Sequence, residues 1–175
     1  MLLVAATEGE LCGREGLVCG VGPVEAAART AAALAVERPS ALLLVGLAGA
    51  RGFGGPELVI GSEAVYCDAD DERWITLRLR PDGRLLEAAR QALPEARVLP
   101  IGTTARVGGS SGCEVEAMEG YAVLRAAELA GVPAVEVRAL GNEIAEPDRT
   151  RWRFEEARAA LADGLPGLVR SLKRS

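Results

Sequence analysis

The chain has 175 residues, 49% of them hydrophobic and 26% charged, which suits one folded domain with its own core and excludes a disordered chain. A net charge of −5 argues against a nucleic-acid binder, which would show a basic face. There is no histidine, so chemistry must rest on carboxylates, amides, hydroxyls, thiols or backbone groups, and no metal or organic cofactor is expected.

Residues 2–6 form a short apolar run, ended by the polar Thr-Glu-Gly-Glu. Residues 17–22 form a second, which leads into a helix with Pro23 in its first turn and Pro39 beyond its stop. Residues 41–50 are continuously apolar and end in glycines, the pattern of a strand buried on both faces. That run is too short to cross a membrane. Residues 57–68 and the alternating Arg-Trp-Ile-Thr-Leu-Arg-Leu-Arg of 73–80 read as strands. A helix is expected over 83–93, and then a strand over 96–107 that runs into a Gly/Ser loop. A helix over 116–130, a strand over 133–140 and a closing amphipathic helix over 151–172 complete the chain.

Strands alternate with helices, and strands follow one another in the middle. This predicts a three-layer α/β/α fold with a central mixed β-sheet, one domain over residues 1–175. Sites in such folds gather at the C-terminal ends of strands, here 7–10, 47–52, 103–109 and 141–148. The chain opens on Met-Leu-Leu-Val-Ala-Ala-Thr without a basic segment, so no signal peptide is expected. Cys12, Cys19, Cys67 and Cys113 form no C-x-x-C pair, which suits a cytoplasmic protein with reduced thiols.

Several short patterns carry candidate chemistry. Gly20-Val-Gly22 precedes a helix but lacks the third glycine of a dinucleotide fingerprint, so a tight turn explains it better. Glu8 and Glu10 lie either in a solvated loop or at a strand end, where a carboxylate can take a proton from water. Asn142 is either a turn residue or a neutral amide delivered to a strand end. Glu119 suits an ordinary helix start, where an acid is favourable, or a hand reaching into a site.

Taken together, Ala6-Thr-Glu-Gly-Glu10, Gly46-Leu-Ala-Gly49, Met118-Glu119 and Arg138-Ala-Leu-Gly-Asn142 resemble, in order and spacing over nearly the whole chain, the nucleoside phosphorylase/nucleosidase superfamily. Within it, Met118-Glu-Gly-Tyr-Ala122 followed by Asn142, Arg149 and Trp152 is similar to the futalosine hydrolases of menaquinone biosynthesis. The resemblance implies that Glu10 activates water, that Glu119 holds the ribose 2′ and 3′ hydroxyls and that Met118 packs against the sugar. It implies further that Leu47, Ala48 and Gly49 supply contacts, with Val107 on a loop over the base, and that Asn142 reads the purine. An asparagine suits a 6-oxo purine such as hypoxanthine, where an aspartic acid would suit adenine. Phosphorolytic relatives hold phosphate at the positions of Leu44 and Leu47, and apolar side chains there favour water as nucleophile. Gly120 and Ala122 are expected to be small so that the helix end can approach a sugar. Implied partners are a small-molecule nucleoside and further copies of the chain in a homo-oligomer, with no nucleic acid and no membrane. The segments 11–16 and 109–115 are shorter than in relatives, which leaves no base-stacking aromatic assigned.

Overall fold

A computed structural model describes residues 1–108 and 111–175. Gly109 and Ser110 of the expected Gly/Ser loop lie outside the described residues. Strand β1 (Leu2–Ala5) runs into a 3-10 turn at Glu8–Leu11, followed by β2 (Leu17–Val18), α1 (Pro23–Val36), β3 (Leu42–Ala50) and β4 (Leu58–Tyr66). Then come β5 (Arg78–Leu79), α2 (Gly83–Ala92), β6 (Arg97–Thr103), β7 (Val115–Ala117), α3 (Gly120–Leu129) and β8 (Ala134–Glu143). A short 3-10 turn at Arg149–Arg151 precedes the closing helix α4 (Phe154–Leu172).

The sheet is mixed, as expected. β3 pairs in parallel with β1 and β8, while β4 runs antiparallel to β5 and β8. The pairing also closes on itself, from β3 through β8, β4, β6 and β7 back to β3. The middle layer is therefore curled, which removes exposed edges from its longest strands. β3 and β8 sit at the centre, and every residue of Leu42–Gly46 is buried, so the continuous apolar run has both faces covered. On one face Leu43, Val45, Val135 and Val137 pack with Leu85 of α2 and Leu161, Leu165 and Leu168 of α4. On the other, Leu42 and Leu44 pack with Ala26 and Leu34 of α1 and Val123 and Ala127 of α3. A third cluster, with Ala48, Ala50, Val59, Ile101, Val115 and Leu140, fills the curl beside the strand ends.

Two expected elements differ. Of the strand expected over 73–80, only Arg78–Leu79 pairs, against Ala64–Val65. Before it, Arg73 folds back onto Asp71 at 2.7 Å and Trp74 stands 84% exposed, so of the alternating stretch only Leu79, at its paired end, is buried in the core. The helix expected from 116 begins only at Gly120, because Val115–Ala117 is strand β7, wedged between β3 and β6. The buried Thr103 hydroxyl accepts the Tyr121 N–H at 2.7 Å, supplying a partner that the first helical turn lacks.

Candidate active site

A cavity of about 300 Å³ opens at the C-terminal ends of β1, β3, β6 and β8. All four strand ends picked out in the sequence contribute to its wall. Glu10, Leu47, Ala48, Gly49, Val107, Met118, Glu119 and Asn142 all line it. Glu8 does not; it is exposed on the outer side of the turn.

Glu10 is held by its own turn. Its Oε2 accepts the Thr7 N–H at 3.0 Å and the Thr7 hydroxyl at 2.8 Å, and its Oε1 accepts the Leu47 N–H at 2.8 Å. A carboxylate has about four acceptor positions, so three donors leave about one. Thr7 is a site residue the sequence reading passed over. Its signal was present: Thr7-x-x-Glu10 is the pattern in which a side chain three residues on reaches back to the turn's first N–H.

Glu119 is held from a distance. Its Oε1 accepts the Gly22 N–H at 3.0 Å, and Arg138 Nη1 donates to its Oε2 at 3.2 Å. Two positions of this carboxylate remain for hydroxyls of a ligand. The Gly20–Gly22 turn is therefore not a nucleotide fingerprint. Its two glycines adopt φ of 84° and 90°, and the second presents its N–H to Glu119.

Arg138 is wholly buried and joins the acids together. Its Nε donates to Glu136 Oε1 at 2.8 Å and its Nη1 to the Leu47 carbonyl at 3.4 Å. The Leu47 peptide thus touches Glu10 through its N–H and Arg138 through its carbonyl. Burial works against the guanidinium's charge, but Glu136, Glu119 and Glu10 outweigh it and push its pKa up. Burial also pushes the Glu136 carboxyl up, opposed by the charge of Arg138. The room for this network comes from glycine. A Cβ on Gly46 would lie 2.4 Å from Arg138 Nη1, and one on Gly120 would lie 2.4 Å from Glu136 Oε2. Gly120 is therefore small for the sake of Glu136, not to admit a sugar, which corrects the expectation from the sequence. Ala122 faces the core rather than the cavity.

Asn142 sits at the end of β8, opposite Gly49, where a bulge shifts the register of β3. Its Nδ2 donates to the Glu143 carbonyl at 2.9 Å, which leaves a second N–H and the side-chain carbonyl for a ligand. Val107 lines the cavity and is 55% exposed. Trp152 and Phe154 form an aromatic corner of the wall, 5.1 Å between ring centroids, and Arg149 stacks over Trp152 at 5.2 Å. Phe154 was not singled out in the sequence, because the helix containing it read only as amphipathic. Leu44 is buried in the core and Leu47 lines the cavity. Cys19 is fully buried, and burial pushes its thiol up to about 11, so it stays protonated. Among the described residues no cluster of Cys, Asp and Glu has the makings of a metal site.

The sequence pattern of the phosphorylase superfamily matches residues 11–173. The chain belongs to that superfamily. Within it, the chain is 34% identical to the futalosine hydrolase of Streptomyces coelicolor over 87% of its own length and 77% of the relative's. It is 32% identical to the futalosine hydrolase of Thermus thermophilus, over 87% and 80%. These identities place it in the futalosine hydrolase family. The fold is likewise that of solved nucleosidases. The 5′-methylthioadenosine/S-adenosylhomocysteine nucleosidase of Neisseria meningitidis, solved with methylthio-immucillin-A, superposes with a TM-score of 0.83, covering 98% of each chain at 23% identity. A futalosine hydrolase mutant of Helicobacter pylori superposes with a TM-score of 0.84, over 97% and 98%, at 16% identity.

Proposed function

We propose that this cavity hydrolyses the N-glycosidic bond of futalosine, releasing hypoxanthine and dehypoxanthine futalosine in menaquinone biosynthesis. The observation that carries the reading is the division of acceptor positions in one cavity: about one left on Glu10 and two on Glu119. One free position suits a single water. Two suit a pair of vicinal hydroxyls.

In this reading Glu10 accepts a proton from water as the water oxygen bonds to the anomeric carbon. The C–N bond breaks and its electron pair leaves with the purine. Positive charge gathers on the sugar meanwhile, beside two buried carboxylates, Glu10 and Glu119. Asn142 receives the departing base, its free N–H toward the 6-oxo group and its carbonyl toward N7, where a proton taken from solvent lets the base leave as neutral hypoxanthine while Glu10 returns its own proton to solvent. Met118 floors the sugar, Leu47–Gly49 and Val107 line the base, and the Trp152–Phe154 corner with Arg149 faces the carboxyphenyl tail. Leu47 supplies no charge where phosphorolytic relatives hold phosphate, which supports water as the nucleophile.

We read residues 1–175 as one nucleosidase-like domain. A homo-oligomer is part of the proposal, supported by the exposed Val24, Val36 and Leu129 on α1 and α3. A cytoplasmic setting is supported by four free cysteines. No helix among the described residues is long and apolar enough to cross a membrane.

The test is incubation with futalosine, inosine and methylthioadenosine, with and without phosphate, following free base by chromatography. Hypoxanthine from futalosine without phosphate is the expected result. A strict phosphate requirement sinks hydrolysis, and no base from any substrate leaves a nucleoside-binding protein. Asn142→Asp is expected to move preference toward 6-amino purines by about tenfold or more, because mismatched donors in a buried site cost that much. Unchanged preference would remove Asn142 from base reading.

A further inference from the structure

Glu136 is a buried acid that the reaction above does not use. It lies in the middle of β8, 1% exposed, and does not line the cavity. One oxygen accepts from Arg138 Nε; the other has no hydrogen-bond partner among the described residues. Burying a carboxylate this way is unfavourable, and an apolar residue here would avoid the cost. The effect of the acid must lie in what it does to its single partner.

That partner is a planar fork of fixed geometry. An arginine facing one carboxylate commonly takes both of its oxygens in parallel. Bound so, Arg138 would occupy both oxygens of Glu119 and leave fewer positions for a ligand. The observed arrangement is different. Nε is fixed to Glu136, Nη1 alone reaches Glu119 and Nη2 makes no hydrogen bond among the described residues. Glu136 also presses against the backbone that carries Glu119. A Cβ on Gly120, the next residue, would lie 2.4 and 2.5 Å from the two Glu136 oxygens.

We propose that Glu136 is a positioning residue: by holding Arg138 Nε it turns the guanidinium so that Glu119 keeps one acceptor position on each oxygen for the ribose hydroxyls. This rests on the reading that Glu119 grips the ribose. It does not rest on hydrolysis itself.

The decisive variant is Glu136→Gln, which keeps the shape and an acceptor for Arg138 Nε while removing the charge that competes with Glu119. The readout is the preference for futalosine over its 2′-deoxy analogue, as a ratio of kcat/KM and, by calorimetry, of Kd. A ratio does not depend on how much protein is folded, so a merely structural role leaves it unmoved. The wild type should discriminate against the deoxy analogue. Glu136→Gln should lose about five- to tenfold of that discrimination, the scale of weakening one charge-assisted hydrogen bond. Glu136→Asp, which restores the charge, should recover part of it. In a Glu119→Gln background Glu136→Gln should change the ratio no further. An unchanged ratio in Glu136→Gln, whatever happens to the rate, overturns the proposal. Ribose discrimination in binding without release of base would instead sink the hydrolase reading and leave the role of Glu136 standing.

Discussion

Glu10 and Glu119 line the same cavity as buried carboxylates, yet they are held in opposite ways. Glu10 is fixed mainly by Thr7, three residues away, and by one N–H of β3. Glu119 is fixed by Gly22, 97 residues away, and by an arginine shared with another buried acid. A local clamp can form with its own turn, whatever the rest of the chain does. The remote one exists only once β8, α3 and the Gly20–Gly22 turn have met. The acid proposed to meet water is thus built from neighbours, while the acid proposed to meet the sugar is built by the fold. A difference in supports should show as a difference in how each acid fails.

Three substitutions press on that contrast. The largest effect belongs to Glu10→Gln. Its kcat should fall by about 10²- to 10⁴-fold, the usual worth of a positioned base. Steady-state assay on futalosine would check it, with the thermal midpoint confirming a folded protein; a loss under tenfold would strip Glu10 of the base role. Next comes Arg138→Met, which leaves Glu119 and Glu136 buried without their counter-charge. It should cost about 3–5 kcal/mol of stability, read from the urea midpoint. If it were near neutral, the remote clamp would not be what holds Glu119. The smallest effect is expected from Thr7→Ala, which removes one of three donors to Glu10. About 0.5–1.5 kcal/mol of stability and a few-fold of kcat should go, with binding of a nucleoside product unchanged. A loss as large as that of Arg138→Met would erase the distinction between the two clamps.

Much of the site was legible in the chain. The fully apolar stretch that became β3 had the pattern of a buried strand, although its Gly46-Leu-Ala-Gly49 end, expected to enter a loop, remains paired within that strand through Ala50. Glu10, Met118, Glu119 and Asn142 were identified by motif, and each lines the cavity. Where the reading missed, short-range pattern and long-range partner disagreed. Alternation over 73–80 was genuine as a pattern, but β4 offers a partner only to Arg78–Leu79. Val115–Ala117 sits next to a helix and joined it on paper, yet the edges of β3 and β6 claim it as a strand.

By itself the sequence determined the order of buried strands and helices, the chemistry available in a chain without histidine, and the clamp within Thr7-x-x-Glu10. These follow from hydrophobic periodicity and from contacts a few residues apart, which any reader of the chain can trace. Only the tertiary structure decided that the sheet curls into a closed path and that Gly22 faces Glu119. It alone set one arginine between two carboxylates, with Gly46 and Gly120 leaving the room. Those features depend on which distant groups come within hydrogen-bond distance of one another, and spacing along the chain carries no record of that distance.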